Sequence, residues 1–132
     1  MDIKFTGKRA MIEKKSQALE NVGPIDLLVN NAVLGWLKPI TEIIEDDLDR
    51  ILGINTKALI HVTQIVVKNL ISRKETGSIV NISSQAGLVK LMEHTVYCAS
   101  KGAVDAFTTP AALELGSHGI RVNSVNSSHN ND

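Results

Sequence analysis

The sequence is poor in the residues that build disulfides, metal sites and aromatic surfaces. Its single cysteine, Cys98, cannot form a disulfide within the chain, and its aromatic residues are two Phe, one Trp and one Tyr. The four histidines lack both the spacing and the cysteine partners of a zinc site, so we expect no metal. Fourteen basic residues balance fourteen acidic ones, so no net charge attracts nucleic acid or an anionic membrane. A small neutral ligand suits this composition better.

Long apolar runs are also missing. The first 23 residues hold no apolar stretch of secretory length, which predicts a cytoplasmic protein. The segment ALIHVTQIVVKNLI, which begins at Ala58, is interrupted by polar residues and predicts a helix of a globular protein rather than a membrane span. With 132 residues, of which 43% are apolar, we expect one core in residues 1–126. The polar residues 127–132, SSHNND, are expected to form a disordered tail.

Three apolar segments have the length and composition of strands. They are IDLLVNNA at residues 25–32, GSIVNIS at 77–83 and IRVNSV at 120–125, and RAMI at 9–12 could add a short fourth strand. The lack of polar alternation in residues 25–32 predicts a strand buried on both faces.

The segments between the strands have the patterns of helices. Residues 13–23 predict a short helix that ends at a glycine, and residues 48–70 carry apolar side chains mostly three and four apart. The acidic run Glu45, Asp46 and Asp47 suits a helix N-terminus. Residues 97–115 predict a further helix. Strands that alternate with helices predict an α/β fold, a partial Rossmann-like parallel sheet of about three or four strands with flanking helices.

The only tyrosine, Tyr97, precedes Lys101 by four residues and follows Ser84 by thirteen. On a helix, residues four apart share one face, and an ammonium there favours a phenolate, so Tyr97 is predicted to act as a general acid. Ser84 follows directly on a predicted strand, at the edge where open parallel sheets bind ligands. Each residue alone also has a plain interpretation, since such a spacing arises by chance and a serine at a strand end is common.

Asn55 lies on the apolar stripe of the predicted helix at residues 48–70. An unpaired buried amide costs about 1 to 3 kcal/mol, so Asn55 is expected to have a hydrogen-bond partner. Asn55 could make a purely structural hydrogen bond to a neighbouring strand, or it could belong to a functional site.

Taken together, these residues resemble the short-chain dehydrogenase/reductase family. The resemblance rests on Asn30-Asn31-Ala32 after one strand, Asn55 in the next long helix, Ser84 after the next strand and the Tyr97-x-x-x-Lys101 motif. It covers residues 22–126. The segments VGPIDLLVNNA, IVNISSQ, VYCASKGA and LELGSHGIRVNSVN resemble the L-xylulose (dicarbonyl) reductase branch of that family.

The resemblance implies a carbonyl reductase mechanism. Tyr97 would protonate the substrate carbonyl while hydride arrives from a nicotinamide, and Ser84 would orient the carbonyl. Lys101 would bind the nicotinamide ribose and act on Tyr97. Asn55 would hold a water in a proton relay.

The resemblance also implies the ligands and the binding residues. The cofactor would be NADP(H), with NAD(H) not excluded, and the substrate a small sugar or dicarbonyl compound. The turn of Asn30, Asn31 and Ala32 would line the cofactor, which Tyr97 and Lys101 would also contact. Gln85 and His94 would line the substrate pocket with Ser84, although His94 could equally be a solvated loop residue. Intact relatives of this kind would be homo-oligomers.

The chain departs from the family pattern in several places. It contains no T-G-x-x-x-G-x-G segment, the glycine-rich turn that receives the cofactor pyrophosphate, and has Val33 in place of the glycine of NNAG. Pro110 lies within a predicted helix, where it would cost about 3 kcal/mol. After Asn126 the sequence lacks the family's P-G and substrate lid.

Two hypotheses follow from these departures. Either the chain is an NADP(H)-dependent carbonyl reductase, or it is an inactive truncated fragment that at most associates with intact subunits. Without the glycine-rich turn we expect NADPH to bind weakly and reduction of diacetyl or L-xylulose to stay near background. In that case the Tyr97→Phe substitution would change little.

Overall fold

A four-stranded parallel sheet forms the centre of the computed structural model, which describes residues 10–12, 23–89 and 91–127. The strands are β1 (Ala10–Ile12), β2 (Leu27–Asn30), β3 (Gly77–Ser84) and β4 (Ile120–Ser127), and they lie in that order. All three pairings are parallel, which confirms the predicted sheet. The helix predicted at residues 13–23 falls mainly outside the described residues.

The long helix predicted at residues 48–70 is present, but it starts earlier and is not uniform. It consists of α1 (Glu45–Leu52), a π-helical segment (Gly53–Ala58) and α2 (Leu59–Arg73). The acidic first turn was predicted correctly: the Asp47 carboxylate accepts a hydrogen bond from the Ile44 backbone N–H at 3.0 Å. This bond, together with the Lys38 ammonium 2.6 Å away, lowers the pKa of Asp47.

The last helix, α3 (Thr95–Leu115), continues through Pro110 without a break. A proline removes one backbone N–H, so the carbonyl four residues earlier, at Ala106, loses its helical partner. Both Pro110 and Ala106 are exposed, and water can therefore satisfy that carbonyl. Among residues 10–12, 23–89 and 91–127, the remaining short elements are three 3₁₀ turns, Ile40–Glu42, Gln85–Gly87 and Gly116–His118.

The core lies between one face of the sheet and the helices α2 and α3. Side chains two apart along a strand share a face, and on this face the buried residues Leu28, Ile79 and Val122 form one row across β2, β3 and β4. The helices and neighbouring strand positions complete the cluster with Ile25, Val62, Val66, Leu70, Ala111 and Ile120.

On the opposite face, Leu27 and Val29 are only half-buried. The prediction of a strand buried on both faces was therefore wrong for one face. The predicted apolar stripe was likewise only partly correct, since Ile51 is buried whereas Leu48, Leu52 and Ile65 are exposed.

A row of polar side chains lies next to the apolar row, nearer the carboxyl ends of the strands. The Asn30 amide donates to Thr63 Oγ1 of α2 at 3.0 Å and to Asn81 Oδ1 of β3 at 2.8 Å. The Asn81 amide in turn donates to Thr108 Oγ1 of α3 at 3.0 Å. These hydrogen bonds connect both helices to the register in which β2 and β3 pair, although the buried Asn30 Oδ1 has no partner in the described residues.

The strand β4 extends further than the sequence predicted. Ser127, assigned above to the tail, is its last residue and donates a hydrogen bond from its hydroxyl to the Ser83 carbonyl at 3.3 Å. Residues 128–132 lie outside the described part of the chain. Among the described helices, none is both long and apolar enough to cross a bilayer.

Candidate active site

The carboxyl end of β3 carries the predicted Ser84 and Gln85. Ser84 is the last strand residue and caps the turn Gln85–Gly87, where its Oγ accepts a hydrogen bond from the Ala86 N–H at 3.2 Å. Ser84 is half-buried and Gln85 is exposed. The hydroxyl hydrogen of Ser84 remains available to a ligand, because the bond to Ala86 uses the Ser84 oxygen only as an acceptor.

Tyr97 and Lys101 lie on one face of α3, as their spacing predicted. The Lys101 ammonium is 5.9 Å from the centre of the Tyr97 ring, and it donates a hydrogen bond to the Ile82 carbonyl of β3 at 2.7 Å. Lys101 is buried, with 3% of its surface exposed. Burial lowers the pKa of Lys101, and the negative charge of Asp105 opposes this shift.

The hydroxyl of Tyr97 makes no hydrogen bond to any described residue, and its side chain is half-buried. A phenol held beside an ammonium, with a free hydroxyl at the ligand-binding edge of a parallel sheet, can transfer a proton to a bound oxygen.

Asn55 is fixed within the π-helical segment and is 1% exposed. Its Oδ1 accepts from the Leu34 N–H at 2.7 Å, while its Nδ2 donates to the Leu34 carbonyl at 2.7 Å and to Ser100 Oγ at 2.9 Å. Ser100 in turn donates to the Tyr97 carbonyl at 2.7 Å. Asn55 therefore joins the loop after β2 to the first turns of α3, and its amide has the partners that its burial required.

The loop after β2 also contacts Tyr97 directly. A Cβ atom built on Gly35 would lie 2.7 Å from Tyr97 Cδ2, so only glycine leaves room for the ring in this position. The Tyr97 ring also meets His94 edge-on, with the ring centres 6.2 Å apart. His94 is held by a hydrogen bond of 2.9 Å between its Nδ1 and the Met92 carbonyl.

We expect the Gly35→Ala substitution to displace the Tyr97 ring and to destabilise the fold by about 1 to 3 kcal/mol, the usual cost of overpacking. Since Tyr97 is the only tyrosine, NMR of ring-labelled tyrosine reports on this side chain alone. The control is Gly53→Ala, because a Cβ at Gly53 has no neighbour within 4 Å. Tyrosine ring signals that are identical in the Gly35→Ala variant and the unsubstituted chain would contradict the packing.

The turn at residues 30–32, which was predicted to line the cofactor, lies only partly near Tyr97. Asn30 points into the core, where it bonds to Thr63 and Asn81, while Asn31 is exposed and Ala32 half-buried. No hydrogen bond links Asn30, Gln85 or Ser84 to Tyr97 in the described parts of the chain. Four of the predicted site residues do lie together. His94 and Lys101 contact Tyr97 directly, and Asn55 is linked to Tyr97 through Ser100.

Several contributors to this site were missed in the sequence. The Leu34 and Ile82 groups are backbone atoms and leave no signal in a sequence, and the need for glycine at position 35 depends on how the loop folds. Asp105, by contrast, follows Lys101 by four residues and could have been found by the same spacing argument. In the described residues, no three His, Cys, Asp or Glu side chains are grouped as a metal site.

Comparison with protein families and curated proteins gives concordant matches. The family model described as "short chain dehydrogenase" matches residues 1–129. L-xylulose reductase of Mus musculus is 53% identical over 114 residues, 86% of this chain and 47% of the relative. D-erythrulose reductase of Gallus gallus is 43% identical over 109 residues, 83% of this chain and 44% of the relative. The chain thus spans about half the length of the curated relatives it matches.

Solved structures with the same fold include nucleotide complexes. A 4-hydroxyisoleucine dehydrogenase complexed with NADH is similar with a TM-score of 0.78 and 33% identity, over 84% of this chain and 49% of that one. An NAD⁺-bound xylitol dehydrogenase is similar with a TM-score of 0.75 and 37% identity, over 83% of this chain and 42% of that one. These likenesses agree with the Rossmann-like parallel sheet of this chain.

Proposed function

This chain belongs to the short-chain dehydrogenase family, and we propose that its site reduces the carbonyl group of a small sugar or dicarbonyl compound with NADP(H). The observation that carries the proposal is the buried Lys101 ammonium 5.9 Å from the centre of the Tyr97 ring, at the carboxyl end of β3. The names of relatives support the substrate and cofactor: L-xylulose reductase, D-erythrulose reductase and, in Sus scrofa, carbonyl reductase [NADPH] 2. The proposal includes a cytoplasmic location and a homo-oligomer, and NAD(H) is the alternative cofactor.

The residues present fit the nicotinamide-ribose end of such a cofactor. An ammonium has three donors, and Lys101 uses one of them on the Ile82 carbonyl, so it can also bind ribose hydroxyls. The free Tyr97 hydroxyl offers a further partner. When bound, the cofactor would supply hydride to the substrate carbonyl carbon.

The protein's own residues would manage the proton and the position of the substrate. Tyr97 would donate its hydroxyl proton to the carbonyl oxygen, and the positive charge of Lys101 would stabilise the phenolate that remains. Ser84 would orient the same oxygen with its free hydroxyl hydrogen.

Two further predicted site residues have narrower roles in this proposal. Both amide hydrogens of Asn55 are already used, so a relay water could bind its side chain only through Oδ1, which would then accept a second hydrogen bond. His94 and Gln85 would flank the substrate.

A second function is favoured by the absence of a glycine-rich turn from the 132-residue sequence. A dinucleotide pyrophosphate carries two charges, which need backbone amides or cations in place of water. In this alternative the 132-residue chain alone binds no cofactor and at most associates with intact subunits.

A titration of the purified chain with NADPH distinguishes the two functions. The proposed reductase is expected to give a saturable change in nicotinamide fluorescence and NADPH consumption that depends on added diacetyl or L-xylulose. The same titration with NADH tests the choice of nucleotide. An unsaturable signal, together with consumption equal to the protein-free rate, would instead support the inactive chain.

A further inference from the structure

The Asp105 side chain of α3 is in an unusual environment for a carboxylate. Both of its oxygens are buried, and neither accepts a hydrogen bond from the described residues. An ionised carboxylate without donors loses the solvation of water and gains nothing in return, unless a positive charge lies near it. A nearby cation would therefore stabilise the charge of this side chain.

Lys101 is the cation that the fold places there. It precedes Asp105 by four residues, so both lie on the face of α3 that also carries Tyr97. The ammonium is itself buried and bonds only to the neutral Ile82 carbonyl, without a salt bridge to any described residue. The negative charge of Asp105 favours the charged form of Lys101 and so opposes the lowering of its pKa by burial.

Gly87, in the turn that follows β3, packs closely against the Asp105 carboxylate. A Cβ atom on Gly87 would lie 3.1 Å from Asp105 Oδ2 and 3.1 Å from the Gly102 backbone N. The turn Gln85–Gly87, which directly follows Ser84, thus packs against α3 at the carboxylate. Because this contact excludes water, the charges of Asp105 and Lys101 are less screened than at a surface.

We propose that Asp105 is a positioning residue, the counter-charge that holds the Lys101 ammonium in place beside Tyr97. The proposal rests on the proposed function, because Lys101 must remain charged to stabilise the phenolate of Tyr97 after proton transfer. Asp105 touches neither substrate nor cofactor in this role. Tyr97, Lys101 and Asp105 are each four residues apart, so they follow one another at successive turns of α3.

The test is an NMR titration of the Lys101 side chain in protein labelled with ¹³C-lysine, with Lys101→Met used to assign its signal. In the Asp105→Asn variant the midpoint of Lys101 is expected to move to lower pH, because removal of the negative charge disfavours the ammonium. Asp105→Glu keeps the charge and should restore the midpoint towards that of the unsubstituted chain. Glu114→Gln, which removes an exposed carboxylate from the same helix, is the matched control and should leave it unchanged.

The titration needs no cofactor or turnover, so its result is separate from the failure or success of the proposed function. An unchanged Lys101 midpoint in Asp105→Asn would overturn the proposal. So would a midpoint in Asp105→Glu that equals that of Asp105→Asn, because the effect would then come from packing and not from charge. Circular dichroism of each variant establishes that the helices are intact.

Where NADPH-dependent turnover is measurable, the pH profile gives a second readout. The alkaline limit of kcat/KM is expected to move to lower pH in Asp105→Asn, in parallel with the Lys101 midpoint. A purely structural role for Asp105 would lower the rate equally at all pH values, and that outcome would count against the proposal.

Discussion

If the chain is the proposed reductase, the Tyr97→Phe variant is expected to lose about 10²- to 10⁴-fold in NADPH-dependent reduction of diacetyl or L-xylulose, the range typical of a missing general acid. Phenylalanine keeps the ring in its place against Gly35 and beside Lys101, so the variant removes only the hydroxyl, which donates the proton and offers the ribose one hydrogen bond of about 1 kcal/mol. Binding of NADPH and the free energy of unfolding should change little by comparison.

The measurement is kcat/KM for both substrates, with nicotinamide fluorescence to follow cofactor binding. Thr109→Val is the matched control, since it removes a hydroxyl from an exposed position of the same helix. Undiminished turnover in Tyr97→Phe would refute the role of Tyr97 as proton donor. If the unsubstituted chain itself works only at the background rate, both variants will match it and the inactive alternative holds.

The Asn55→Ala variant is expected to lose about 3 kcal/mol in the free energy of unfolding, because two backbone groups of Leu34 would lose their partners at about 1 to 3 kcal/mol each. The change also releases the loop that carries Gly35, so the Tyr97 ring would lose one of its supports. This would be a large fraction of the stability of a small domain, which is about 5 to 15 kcal/mol.

Urea unfolding followed by circular dichroism measures this loss. Ser100→Ala is the matched comparison, since it removes one of the three partners of Asn55 and leaves both Leu34 groups bonded. Its expected cost is about 1 kcal/mol. Equal stability losses in the two variants would show that the Leu34 bonds contribute nothing.

The parallel sheet was predictable because its strands are defined by local composition. The apolar runs around Leu28, Ile79 and Val122 are the length of strands and are separated by helical patterns, and the topology then follows from general rules of connection. The extension of β4 to Ser127 was not predictable. Its last residues are polar, and they are held by pairing with β3 rather than by burial.

The face of α3 that carries Tyr97 and Lys101 was also predictable, because a helix converts sequence spacing into spatial proximity. The contact of Tyr97 with Gly35 was not, since it joins residues far apart in sequence through an irregular loop. Asn30 illustrates a third case. Its motif was recognised, but only the structure shows that its amide points into the core towards Thr63 and Asn81.

The π-helical segment Gly53–Ala58 also limits how the length of this chain can vary. Each residue of an α-helix turns the chain by about 100°, so deleting one residue there would rotate α1 by roughly that angle relative to α2. Ile51 would leave the interior, and an exposed side chain of α1 would take its place, while Val62 on α2 would stay where it is. Insertions and deletions in Gly53–Ala58 should therefore rotate one packed helix against another, an effect that a change in length of the connection between β3 and α3 does not have.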